Sequence, residues 1–272
     1  MEEQYSVLMS VYHKEKAENL KMSMDSIWNQ TLPTDNFVLV CDGVLSEDLD
    51  KVIQIQQETH KDNLFVVRLE KGVGLGKALN HGMQYCKHDV VARMDSDDIS
   101  KQNRMEKQLQ VLYNERADIV GTAVEEFDGG TENVLTVRKM PQTHQEIMNF
   151  VGKRNPFNHP SIMYRKSAVM GVGGYLDFPL FEDYYLWARM LKAGYRGYNI
   201  PESLLYMRAG ADMYQRRGGW KYAILAFRFR TKLKQMGVSG WKDYLISAFG
   251  QLFVCLIPNK MREKFYQTFL RR

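Results

Sequence analysis

Three carboxylates fall within four residues at Asp95, Asp97 and Asp98, in the run RMDSDD. They directly follow the apolar stretch HDVVARM. Like charges this close repel, so the cluster costs stability unless water, a cation or backbone donors neutralise it. Carboxylate oxygens are the hard ligands that Mg²⁺ and Mn²⁺ take, and those ions keep waters of their own, so one or two protein carboxylates suffice. The structural alternative is a helix N-cap cluster, where Asp is favoured. A second acidic pair, Glu182-Asp183 in FEDYYLW, stands at a helix start. Such a pair has the chemistry of a general base, and it equally complements a helix dipole. The turn KGVGLGK over 71–77 offers glycines for close backbone approach and Lys77 for a phosphate. It lacks the full GxGxxG and GxxxxGKS/T spacings, so it supports neither a dinucleotide-binding nor a P-loop reading.

These residues need elements to hold them. Residues 5–12, YSVLMSVY, read as a buried first strand, and HKEKAENLKMSMDSIWNQ as an amphipathic helix. A second strand, Asn36 to Cys41, ends at Asp42-Gly43. A helix from about Ser46 to Thr59 follows, then a third strand from Leu64 to Leu69. KGVGLG leads into a helix KALNHGMQYC, and HDVVARM is the fourth strand. Strands and helices thus alternate, and the strands are almost continuously apolar. That pattern predicts a parallel sheet covered on both faces. Ligands of such sheets sit at the carboxyl ends of the strands. Tyr12, Asp42, the KGVGLGK turn and the Asp95–Asp98 cluster all lie just past strand ends, where they can share one crevice. Further on, Asp118 to Glu125 and HPSIMYR read as strands, GGTENVLTVRKMP as a loop and hairpin, and KSAVMGVGGY as a helix ending in Gly-Gly. Asp183 to Lys192 reads as a helix stopped by Gly194.

SVLMSVYHKE, NQT at 29–31, VLVCDG, KGVGLGKALNHG, RMDSDD, NHPSIMYRKS and FEDYYLWARML occur in the order seen in family 2 glycosyltransferases. The resemblance covers about residues 4–210, and LLYMRAGADMYQRRGG further resembles bacterial capsular and exopolysaccharide enzymes. It departs at Cys41, where many relatives carry Asp, and at Ser10-Val11, where Pro-Thr is usual. The resemblance implies an α/β GT-A fold with a Rossmann-like, mostly parallel sheet, a nucleoside-diphosphate sugar donor and an inverting mechanism. Mg²⁺ or Mn²⁺ would be held by Asp97, with Asp95 on the ion, its water or the ribose. Tyr12 and Asp42 would receive the base, a uracil by preference, with Glu15 nearby. Lys77 and Arg208, with Arg216 and Arg217, would face phosphates, and His159 would lie near the donor sugar. Asp183 would be the base and Glu182 its helper. The competing classes are a sugar-1-phosphate nucleotidyltransferase and a non-catalytic scaffold. The first needs a GxGxR-like signature after the first strand, which SVYHKEKAEN lacks. The second predicts a lost carboxylate, and Asp42, Asp95, Asp97 and Asp183 are all present.

The 272 residues suit one catalytic unit with an appendage: 1–212, split at residue 100 into nucleotide and acceptor halves, and a helical region 213–272. Residues 228–272 carry 10 Lys and Arg against 2 Asp and Glu, whereas the whole chain is only +5. The tail also carries aromatic and aliphatic stripes, through Trp220, Ala223, Ile224 and Phe227 and through Tyr222, Leu225, Ala226, Phe229 and Leu233. Basic amphipathic helices of this kind lie on anionic lipid surfaces. A polyprenyl-diphosphate-linked glycan acceptor suits such a tail. Packing on the catalytic domain or a homodimer contact is the alternative, and nucleic acid fits poorly because no binding motif is present. Three scattered cysteines, no CxxC pair and no signal-peptide pattern predict a cytoplasmic protein, peripheral on the inner face of the cell membrane.

Overall fold

A computed structural model describes residues 4–209 and 219–256 of the chain. The first half follows the alternation read from the sequence: β1 (Ser6–Val11), α1 (Ala17–Trp28), β2 (Asn36–Cys41), α2 (Glu47–Thr59), β3 (Leu64–Arg68), α3 (Leu75–Met83) and β4 (Val90–Asp95). Then come β5 (Ile99–Ser100), α4 (Arg104–Asn114), β6 (Ile119–Phe127), β7 (Val134–Arg138), α5 (His144–Val151), β8 (Met163–Arg165), α6 (Lys166–Gly171), α7 (Glu182–Lys192) and β9 (Gly197–Arg208). Helices α8 (Gly219–Gln235) and α9 (Trp241–Leu256) close the described chain.

All these strands join one sheet in the order β3-β2-β1-β4-β8-β6-β9-β5, with β7 added to β6. Strands β1 to β4 are parallel neighbours, and β8 enters antiparallel between β4 and β6. Alternate residues of β1 and β2 point to opposite sides. Leu8, Val38 and Val40 enter a core with α3, α5, α6, α7 and α8, whereas Met9, Phe37 and Leu39 enter one with α1, α2 and α4. Two buried faces explain the near absence of polar residues in these strands. The order also has a consequence for the acidic cluster. Strands β4 and β5 are separated by only three residues, yet β5 pairs with β9 at the far end of the order. The sheet must therefore curl, and Ser96–Asp98 spans the place where its ends approach.

Several local expectations shift. HPSIMYR is not a strand throughout: His159–Ser161 is a 3-10 turn and the strand begins at Met163. Pro160 has no N–H for a ladder, which accounts for the delay. Helix α3 starts at Leu75 rather than Lys77, with Gly76 inside it. The helix after Lys166 ends at Gly171, and Gly173 and Gly174 then turn the chain with positive φ. Ser46 caps α2 as expected, its side chain accepting from Leu49 N–H.

Candidate active site

Strand β4 delivers Asp95 to its carboxyl end, and the turn that follows presents Asp97 and Asp98. Each offers a carboxylate oxygen within 4.8 Å of the others'. Two elements brace the turn from outside. Ser23 of α1 donates to the backbone oxygen of Asp95 at 2.7 Å. Arg208, the last residue of β9, donates its backbone N–H to Asp98 Oδ1 at 2.8 Å and its Nε–H to the Asp97 carbonyl at 3.1 Å. The Arg208 guanidinium also lies 4.6 Å over the Phe127 ring and reaches the Gly129 carbonyl at 3.1 Å. Two of the guanidinium N–H groups expected to serve phosphate are thus engaged by backbone carbonyls, one of them in the acidic turn. Arg216 and Arg217 lie outside the described residues.

Beneath the turn lies Arg93, which the sequence reading passed over. It is 1 % exposed, pairs through Nη2 with Asp95, and its Nε and Nη1 have no hydrogen-bond partner among the described residues. Burial opposes its charge, but Asp95, Tyr175 and Asp98 outweigh that and raise its pKa. A signal was available, since Arg93 is the one charged residue between Val90 and Met94 in an apolar strand. Around this cation Asp97 and Asp98 are tuned upward. Burial pushes the Asp97 carboxyl up to about 7, with the charges of Asp95 and Glu15 adding to it. Burial likewise raises Asp98, reinforced by Asp97 and Asp95, and its Oδ2 has no partner among the described residues. Crowded carboxylates with an unsatisfied buried oxygen suit a hard divalent cation, whose charge favours the ionised forms.

The first two strand ends lie beside the cluster. The backbone N–H of Asp42 bonds the carbonyl of Val11 at 2.8 Å, tying the β2 end to β1. Tyr12 follows β1 and is 44 % exposed. Glu15 accepts from Ser96 Oγ at 3.2 Å, joining this loop to the acidic turn. The Asp42 carboxylate accepts from Val73 N–H at 2.7 Å and Gly74 N–H at 3.0 Å, so it organises the glycine turn. A carboxylate has about four acceptor positions, which leaves room for a base N–H. Gly43 has φ +90, and a Cβ there would stand 2.7 Å from Gly72 N, so the two turns touch through glycine. Cys41 is buried in the opposite core, among α1 and α2 residues, away from the crevice. Lys77 faces Asp177 at 3.7 Å, both side chains being largely exposed.

The acidic pair of α7 comes to the same edge. A Cβ on Gly76 would lie 3.2 Å from Tyr175 Cβ and 3.5 Å from Glu182 Cβ, so α3 packs directly on the start of α7. Asn80 of α3 clamps the Tyr175 backbone from both sides, at 2.7 and 2.8 Å. Burial raises the Glu182 pKa and Asp183 adds to it, while Arg93 works the other way. The Glu182 Oε2 is buried without a partner among the described residues. Asp183 Oδ2 accepts from Asn155 Nδ2 at 2.7 Å. His159 packs behind this edge: its Nε2 meets Tyr175 Oη at 2.9 Å and its ring stands edge-on to Trp187. His159 is half-buried, and burial pushes its imidazole well below the usual range, with the Arg93 charge adding to that. Asn80, Asn155 and Tyr175 carry no sequence signal, because each acts through contacts that only the fold creates.

The family model for glycosyl transferase family 2 matches residues 6–173. The amylovoran biosynthesis glycosyltransferase AmsE of Erwinia amylovora is 39% identical over 268 residues, covering 96% of this chain and 98% of that one. The UDP-Gal:alpha-D-GlcNAc-diphosphoundecaprenol beta-1,3-galactosyltransferase of Escherichia coli is 35% identical over 269 residues, covering 98% and 97%. Among solved structures, TarS 1-349 of S. aureus superposes with a TM-score of 0.65 at 16% identity, over 97% of this chain and 78% of that one. That last likeness shows the fold alone.

Proposed function

The chain belongs to glycosyl transferase family 2, and on that premise we propose that it transfers one sugar, with inversion, from a UDP-sugar to a polyprenyl-diphosphate-linked glycan during polysaccharide assembly. The observation that carries the reading is the placement of Asp95, Asp97 and Asp98 at the same sheet edge as Asp42 and the Glu182-Asp183 pair. Asp42 and Tyr12 take the base, and Glu15 keeps their loop against the acidic turn. The acidic turn binds Mg²⁺ or Mn²⁺, principally through Asp97 with Asp95. When bound, the cation neutralises charge that grows on the leaving diphosphate. Asp183 takes the proton of the acceptor hydroxyl as that hydroxyl attacks the anomeric carbon, help typically worth 10²–10⁴-fold in rate. Glu182 holds the acceptor beside it, and Lys77 and Arg208 supply cations at the rim.

The relative that uses UDP-Gal and a GlcNAc-diphospholipid supports this donor and acceptor class. A panel of UDP-galactose, UDP-glucose and UDP-N-acetylglucosamine against GlcNAc-diphosphoundecaprenol tests it. Calorimetry of UDP with and without Mn²⁺ tests the cation. Manganese is expected to tighten UDP binding in the native protein and not in Asp97→Asn. Equal UDP affinity with and without manganese would remove the cation from the reading.

The same proposal places the enzyme on the inner face of the cell membrane. No helix among the described residues is long and apolar enough to cross a bilayer. Yet α8 and α9 leave Trp220, Ile224, Trp241, Ile246 and Phe249 exposed, with Lys221, Arg228 and Lys242 exposed among them. Apolar insertion with basic flanks is the chemistry of an anionic lipid surface. Co-flotation with phosphatidylglycerol vesicles, lost in Ile224→Asp/Ile246→Asp, is the expected result. A dimer in sedimentation, broken by the same pair of changes without vesicle binding, would assign the stripe to a second copy.

A further inference from the structure

Asn155 lies in the loop between α5 and the 3-10 turn. Its Nδ2 donates to Asp183 Oδ2 at 2.7 Å, and its Oδ1 accepts from the Phe157 backbone N–H at 3.3 Å. The second bond fixes the amide orientation, because only the oxygen can face an N–H, so the nitrogen must face Asp183. Phe157 is itself immobilised. Its ring is fully buried and edge-on to Trp187 of α7 at 5.7 Å. Gly197 makes the room, since a Cβ there would come within 2.7 Å of Phe157 Cζ. Asn155 is thus anchored on the core of α7 and reaches back to the first turn of the same helix.

We propose that Asn155 is a positioning residue for the acceptor-activating carboxylate: it fixes the plane of Asp183 by holding Oδ2. The proposal rests on the reading of Asp183 as the base. The choice of side chain follows from what a base requires. An Arg or Lys at this place would hold the carboxylate with a full charge and lower its affinity for a proton. A neutral amide donor restrains rotation with far less loss of basicity. Asp183 acts electrostatically on Glu182, Tyr175 and Tyr184. Arg154 and Arg230 act on Tyr184, and Arg93 acts on Glu182. Asn155 is a neutral donor in direct contact with the carboxylate.

Two variants separate positioning from mere packing. Asn155→Asp keeps the size and the bond from Phe157 N–H but turns an acceptor toward an acceptor. Two carboxylates so placed share a proton, so the acid limb of the kcat/KM profile moves up by about one pH unit or more. Asn155→Ala removes the bond without adding charge, so kcat falls roughly 10- to 100-fold with the acid limb in place and the donor KM kept. The measurement is steady-state kinetics with the best UDP-sugar of the panel above and GlcNAc-diphosphoundecaprenol, with melting curves for fold. If Asn155→Asp does not fold, Asn155→Ala carries the test through its split between kcat and KM. Wild-type kcat in Asn155→Ala, or an equal loss in kcat and donor affinity, overturns the proposal. Asp183→Asn runs alongside. If it turns over normally, the base reading falls and the positioning role with it. If it is inactive while both Asn155 variants behave as wild type, only the positioning role falls.

Discussion

At the scale of single residues, the site is a set of acids whose burial and mutual repulsion are met by buried cations, Arg93 and behind it Arg104, and by backbone donors. Asp183→Asn keeps the shape and the bond from Asn155 but cannot accept a proton. Turnover is expected to fall by about 10²–10⁴, with UDP binding retained in calorimetry. His159 gives a prediction about stability. Its folded pKa is depressed by burial, so its contribution is present above the unfolded value near 6.5 and is lost as pH falls below it. Urea titrations should show up to about 1.4 kcal/mol lost per pH unit from this group below pH 6.5. In His159→Gln that part of the slope disappears, leaving what His60 and His144, also depressed, contribute and the opposite contribution of the raised carboxyls Asp97, Asp98 and Glu182. An unchanged slope in the variant would mean that His159 is not held neutral.

At the scale of elements, helix α3 is the piece that carries the glycine turn to the acidic pair. It can do so because Gly82 lets it sit down on the sheet. A Cβ at Gly82 would lie 2.4 Å from Leu8 Cδ1 and 2.6 Å from Val40 Cγ2. Gly82→Ala is therefore expected to destabilise by about 1–3 kcal/mol through overpacking, despite alanine's better helix propensity, as a shift in urea midpoint. The strand and helix order of the first half was legible in the sequence because buried parallel strands are continuously apolar and helices repeat at their own period. The second half was less so. The two-residue β5, paired at long range with β9, and the three-residue β8 carry too few positions for any period to register. Helices α4 and α5 went unread, on either side of the segments 118–125 and 129–141 read as strand and as loop and hairpin.

At the scale of the whole molecule, α8 divides its two stripes between two surfaces. Tyr222, Ala223, Ala226, Phe229 and Leu233 are buried against the α7 side of the catalytic core. Phe229 stacks on Phe181 at 4.6 Å and stands edge-on to Tyr184 at 4.8 Å. Trp220, Ile224 and Phe227 face outward. Packing on the domain therefore holds for the inner face of this helix, and the proposed lipid contact concerns only its outer face. Phe229→Ala is expected to cost about 3–5 kcal/mol, whereas Ile224→Ser should stay within about 0.5 kcal/mol in thermal or urea unfolding. Comparable losses from both would mean that the outer stripe is also buried.

The sequence by itself determined the alternating sheet architecture, the family, and the types of residue past each strand end, because periodicity and short motifs are local properties. Tertiary structure alone decided which groups meet. It put Arg93 beneath the acids, set Arg208 against the acidic turn and His159 against Tyr175, and brought Asn155 to Asp183 across 28 positions of chain. Such contacts arise from the curl of the sheet and the seating of α3 and α7, and long-range contacts of that kind leave no spacing in a single chain to read.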